Sequence, residues 1–171
     1  MATPLLVNVV ELLRHSGTTK EVVASVAVED LAFDDPRVTG ATVEVALVLD
    51  SLTNGITVHG TARAGWHGEC RRCLVPLDGP LECLFDELWQ TTLEDPDAWR
   101  IEGDQIDLLP MVREGLLLAV PAGPLCREEC PGICALCGRD LAEGECGCDP
   151  APPDARWSAL EDMRGRLPEG G

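Results

Sequence analysis

Eight of the nine cysteines of this chain stand in four close pairs, and no other feature limits its fold and chemistry so tightly. The pairs are Cys70-x2-Cys73, Cys126-x3-Cys130, Cys134-x2-Cys137 and Cys146-x-Cys148, with Cys83 alone between the first two. Sulfurs a few residues apart on a turn can share one ion, and a closed structural zinc site takes four ligands, so two pairs complete one site. Cys134, Cys137, Cys146 and Cys148 fall in one short segment, with Gly138 suited to the tight turn of a zinc knuckle, and are assigned to one zinc. Cys70, Cys73, Cys126 and Cys130 then form a second site that ties a strand connection to the end of a helix and adds stability to the core. A different partition stays open, in which Cys126, Cys130, Cys134 and Cys137 close on one ion and leave the other pairs as a weaker site. Cys83 alternates with Leu81 and Phe85 and reads as a core residue.

Disulfides are the competing use of so many thiols. Residues 1–8 carry no basic stretch followed by a long apolar run, and no segment reaches the roughly 20 apolar residues that span a bilayer. A cytoplasmic protein without membrane association is therefore expected, and a reducing cytosol favours metal over disulfides. A complete four-sulfur site leaves no position for a reacting water, unlike a catalytic zinc. His15, His59 and His67 fall in no metal-ligand spacing and beside no nucleophile motif, and no phosphate-cradling glycine loop is present. The expectation is a protein without catalysis and without a small-molecule substrate. A CxxC taken alone is also a redox motif, so the alternative is a thiol redox or zinc-transfer protein that uses Cys70 and Cys73.

At 171 residues the chain is sized for one main core plus an appendage. Residues 5–13 and 21–28 read as strands from their β-branched and aliphatic content. Val43, Val45, Leu47 and Leu49 alternate with more polar neighbours, Asn54-Gly55 suits a tight turn, and Ile56, Val58, Gly60, Ala62, Ala64 and Trp66 resume the alternation, which predicts an antiparallel hairpin. A turn is expected at Asp78-Gly79-Pro80, followed by a strand through Leu81, Cys83 and Phe85. Residues 95–103 read as an exposed acidic loop. The segment IDLLPMVREGLLLAVP predicts a helix near 107–119, capped by Asp107, with Pro110 tolerated in its first turn and Leu109, Val112, Leu116 and Ala119 on its packing face. The fold class is thus α+β, a mostly antiparallel sheet with one main packing helix and a small C-terminal cysteine-rich zinc-binding appendage. The expected divisions are 1–125 for the sheet core, 126–149 for the cysteine cluster, and 150–171 for a linker and a short amphipathic helix at 156–167.

The formal net charge is −17 with a single lysine, Lys20. Nucleic acid is bound chiefly by Lys and Arg neutralising phosphates, so most of this surface repels bare RNA, and each four-thiolate site filled by a dication adds two more negative charges. A basic protein is the easier electrostatic match. Arg63, Arg71, Arg72 and Arg100 are the residues that could still form a local basic patch.

Three segments, GECRRCLVPL, QIDLLPMVREGLLLAVPAGPLC and CREECPGICALCGRDLAEGECGCD, with the closing PDARWSALEDM, resemble in order and spacing the YceD family of large-subunit ribosomal RNA accumulation proteins. The resemblance covers about residues 68–167, and the preceding strands match in general character. Some members of the family have the first CxxC and lack the C-terminal cluster, which implies two separable sites. The resemblance implies a role in ribosome biogenesis, in processing or accumulating large-subunit ribosomal RNA. Combined with the charge, the expected partner is a basic ribosomal protein or ribosome-assembly factor, with direct contact to the RNA as the alternative.

Overall fold

The computed structural model describes residues 5–149 together with Arg156 and Met163. Apart from those two residues, the expected linker and C-terminal helix lie outside the described residues. The chain divides into two compact units, 1–130 and 131–171, so Cys126 and Cys130 belong with the sheet.

The first unit is built on a five-stranded sheet in the order β2 (Thr19–Ala27), β3 (Val38–Leu52), β4 (Gly55–Glu69), β5 (Pro76–Gln90), β6 (Trp99–Arg100). All neighbours are antiparallel except β5 and β6, which pair in parallel over Trp89↔Trp99 and Gln90↔Arg100. The alternation along β3 and β4 sorts the residues as expected: Val43, Val45, Leu47, Leu49, Ile56, Val58 and Ala62 are buried on one face. That face is covered by the helix α2 (Leu109–Ala119), which buries Met111, Val112 and Leu116. Burial of each valine, leucine, isoleucine or methionine among them stabilises by about 1.5–3 kcal/mol. The other face is open, as an antiparallel sheet permits. Asp107 accepts a hydrogen bond from the Leu109 amide at 3.0 Å and Pro110 sits in the first turn of α2, where no intrahelical donor is lost. Among the described residues, no helix is long and apolar enough to cross a membrane.

Four local expectations are corrected. Residues 5–13 do not form one strand. They form the short β1 (Leu6–Asn8), paired with β7 (Gln105–Asp107), and then the helix α1 (Val10–Arg14); Leu5, Val7 and Val9 are buried from β1 and its flanks and Leu12 from the helix, a change of period that a run this short does not show. The β3–β4 turn is made by Thr53 and Asn54, with Gly55 already paired to Leu52. Gly55 is required by close approach, since a Cβ there would lie 2.3 Å from the Trp89 carbonyl oxygen. No turn occurs at Asp78-Gly79-Pro80, and β5 runs straight through it opposite His67, Trp66 and Gly65. The Trp66 indole lies over Gly79, where a Cβ would meet its Nε1 at 2.8 Å, and Pro80 is tolerated because β5 is an edge strand at that point. The acidic loop contains the two-residue β6 and buries Ile101.

Candidate metal centres

Both CxxC pairs fold into the same backbone device. At the first, β4 ends and the Cys70 amide donates to the Val75 carbonyl at 2.9 Å while the Leu74 amide donates back to the Cys70 carbonyl at 2.9 Å. At the second, the Cys134 amide donates to the Arg139 carbonyl at 2.8 Å and the Gly138 amide to the Cys134 carbonyl at 2.9 Å. The residue after the second cysteine takes a left-handed conformation in both, φ +61° at Leu74 and φ +74° at Gly138. Glycine there was legible in the second pair, whereas leucine gave no such signal in the first.

The first knuckle is completed by residues that follow α2. Cys126 and Cys130 are brought against Cys70 and Cys73, with the Arg71 amide donating to the Pro124 carbonyl at 3.0 Å and the Arg72 guanidinium to the Cys130 carbonyl at 2.9 Å. Arg72 thus positions the second pair of sulfurs, a role that spacing did not indicate. The second knuckle is completed within its own unit. Ile133 and Asp140 form an antiparallel bridge, and the Asp140 carboxylate caps the 3-10 turn Leu141–Glu143 by accepting from the Ala142 amide at 2.8 Å. The chain then returns to place Cys146 and Cys148.

The result is two groups of four sulfurs, Cys70/Cys73/Cys126/Cys130 and Cys134/Cys137/Cys146/Cys148, within each of which all ligand atoms lie within 4.8 Å of one another. In the first, Cys70 and Cys130 sulfurs are 3.8 Å apart and Cys73 and Cys126 sulfurs 3.6 Å. These separations are far beyond the roughly 2.05 Å of a disulfide, and all nine cysteines are unbridged. The alternative quartet of Cys126, Cys130, Cys134 and Cys137 is not the one assembled.

The protonation of the two groups follows one pattern. Burial pushes the Cys70 thiol up, but the Cys126, Cys73 and Arg72 amides outweigh it and bring its pKa down to about 6. The Cys137 and Leu136 amides do the same for Cys134, also to about 6, the Leu136 N–H lying 3.4 Å from its sulfur. The last thiols to ionise are pushed the other way. Cys126 is raised to about 12, chiefly by its hydrogen bond with Cys130, and Cys148 to about 12, chiefly by Cys137. Each group therefore offers a ready thiolate but cannot ionise fully without a cation to offset the repulsion. Either group could hold a metal ion.

A family model described as "Large ribosomal RNA subunit accumulation protein YceD" matches residues 58–164. This chain belongs to the YceD family. An uncharacterised protein of Mycobacterium tuberculosis is 32% identical to it, covering 96% of this chain and 84% of the relative. One from Mycobacterium leprae is 31% identical over 72% of this chain and 60% of the relative. The uncharacterised protein YlbN of Bacillus subtilis is 36% identical over 35% of this chain and 37% of the relative. No solved structure matches.

The remaining candidate residues of this YceD-family chain lie away from both sulfur groups or are otherwise engaged. His67 pairs with Asp78 at 2.8 Å and His59 with Asp50 at 3.4 Å, His15 is exposed, and none joins a metal-ligating group among the described residues. The four candidate arginines do not form one patch, although Arg71 and Arg72 stand with Arg37 against the segment after α2, where Arg37 donates to the Pro121 carbonyl. Arg63 is paired with Glu82 at 2.7 Å, Arg72 with the Cys130 carbonyl, and Arg100 lies on β6 beside the end of the sheet where β4 begins, opposite to Arg71 and Arg72. Cys83 is half-buried, and its sulfur lies under Gly115 of α2.

Proposed function

We propose that this chain is a non-catalytic ribosome-assembly factor that holds two structural zinc ions and supports the processing or accumulation of large-subunit ribosomal RNA by binding a basic protein. The observation that carries the reading is the YceD-family match on a chain of net charge −17. Its eight proposed ligands are Cys70, Cys73, Cys126, Cys130, Cys134, Cys137, Cys146 and Cys148. Zinc is favoured because a tetrahedral ion with bonds of about 2.3 Å wants sulfurs roughly 3.8 Å apart, and two sulfur pairs of the first group stand at 3.8 and 3.6 Å. Bound zinc would supply charge balance and a cross-link, without redox chemistry of its own. The proposed place of action is the cytoplasm.

The test has two arms. Depleting the chain in its host should lower large-subunit ribosomal RNA relative to small-subunit RNA, and the purified chain should co-purify basic large-subunit ribosomal proteins at low salt. An unchanged RNA ratio would remove the assembly reading. Elemental analysis should find two zinc ions per chain, with Cys83 as the one thiol left free of metal.

One observation favours a second reading. A Cys70 thiol with a pKa near 6 is also what a redox or zinc-transfer CxxC needs. That reading requires Cys70 and Cys73 to react with alkylating agents in the protein as isolated, and to cycle against a thiol buffer.

A further inference from the structure

We propose that the free edge of β5, together with the groove between it and α2, binds an extended basic peptide segment of a protein partner by strand addition. The proposal rests on the basic-partner reading above and names the surface that would serve it.

β5 is 15 residues long, yet on its outer side only Trp89 and Gln90 are paired, to β6. Among the described residues no strand pairs with the outer side of β5 from Pro76 to Leu88. Such an edge presents unpaired amides and carbonyls, a template for another strand. Beside it, a groove of about 460 Å³ runs along α2, floored by Cys83, Phe85 and Met111 and rimmed by Leu118, which is 87% exposed. Gly115 lets the helix lie close to the sheet, leaving the groove shallow. An edge with a pocket for alternate side chains is the pattern of strand-addition recognition.

The charges choose the occupant. Glu87 and Glu114 face the groove, Glu82 stands at its margin on the other face of β5, and no Lys or Arg lines it. Glu82 already meets Arg63 at 2.7 Å and Glu87 accepts from the Trp99 indole at 3.0 Å, while Glu114 has no partner among the described residues. On the open face of the sheet, β5 turns Glu82 and Asp86 to solvent. A strand added here would point alternate side chains into the apolar groove and the others beside Glu82 and Asp86, so the matching sequence alternates apolar and basic residues. A second copy of this edge would set carboxylate against carboxylate, which is unfavourable. The acidic edge thus discourages self-pairing and admits a basic strand.

The test uses the full chain and a short synthetic peptide of alternating valine and lysine. Fluorescence anisotropy should show binding that weakens with salt, and methylating alternate peptide amides should cost about tenfold or more in affinity, because the edge bonds are lost. Leu118→Lys, an exposed change that leaves the core intact, should weaken binding by about tenfold. Mass-spectrometric mapping should find Cys83 alkylated more slowly with peptide bound. If the peptide binds but methylation, Leu118→Lys and Cys83 labelling are without effect, the groove is overturned while the basic-partner reading stands. If neither the peptide nor basic large-subunit ribosomal proteins bind, both fall. Concentration-dependent protection of Cys83 without peptide, together with dimerisation in sedimentation, would assign the edge to a second copy and overturn the proposal.

Discussion

Cys83 separates itself from its eight relatives by environment. Burial, and then the negative charge of Glu87, raise its thiol above the usual value, so at neutral pH it holds a proton more firmly than a free cysteine does. Because only the thiolate reacts, its alkylation rate should go on rising with pH beyond the point at which a free cysteine levels off. Glu87→Gln removes one cause of the shift and should speed labelling at fixed pH. Gly115 is the second residue whose neighbours fix its identity. An added Cβ would stand 2.5 Å from Phe85 and 2.8 Å from the Cys83 sulfur. Overpacking of that kind costs about 1–3 kcal/mol, against roughly 1 kcal/mol gained from alanine's helix preference, so Gly115→Ala should lower the urea midpoint. The four close cysteine pairs were legible because ligand spacing is a local property, whereas spacing left open which pairs meet, since Cys70 and Cys73 meet Cys126 and Cys130 from a distant segment. The role of Arg72 was not, because it depends on where Cys130 arrives from a distant segment.

The elements were legible where pattern and burial coincide. In β3 from Val43 to Leu49 and in β4 from Ile56 to Ala62 the large apolar positions of the alternation are core positions, and the period of two cannot be confused with a helix. Legibility failed where glycine and proline serve packing instead of turning: Gly79 makes room for the Trp66 indole inside β5, and Gly55 for the Trp89 carbonyl. It failed also for β6, too short for any periodicity, which is held by pairing with β5 and by the Trp89–Trp99 stack at 5.4 Å. That stack supplies a probe for the next prediction. Cys130→Ser should remove one ligand of the proposed ion that would join the end of β4 to the segment after α2. The loss should be on the order of 4 kcal/mol, read as a fall of about 10 °C in the melting of the near-ultraviolet tryptophan signal. Cys146→Ser touches only the second unit and should leave that transition where it is. Chelation should reproduce the effect of Cys130→Ser in the unaltered chain.

For the whole molecule, charge decides more than shape. With a formal net charge of −17, encounters with a basic partner should be fast at low salt. They should slow by about tenfold or more between roughly 0.01 and 0.15 M ionic strength, as the screening length falls from about 30 to 8 Å; stopped-flow mixing checks this. An RNA-binding chain would show its salt dependence on bare RNA instead. The two sulfur groups differ in one further respect, the length of chain each must close. Cys134 and Cys148 are near neighbours along the backbone, whereas Cys70 and Cys130 are 60 residues apart. Closing the longer loop costs on the order of 1 kcal/mol more in entropy, and the sheet must first be in register. On folding, the C-terminal group can therefore close on an ion by local turns alone, while the other can be filled only once β4 and β5 have paired and the segment after α2 has come against their end. The late site would act as a checkpoint of maturation, and its filling would mark the moment at which the β5 edge comes to stand ready beside α2.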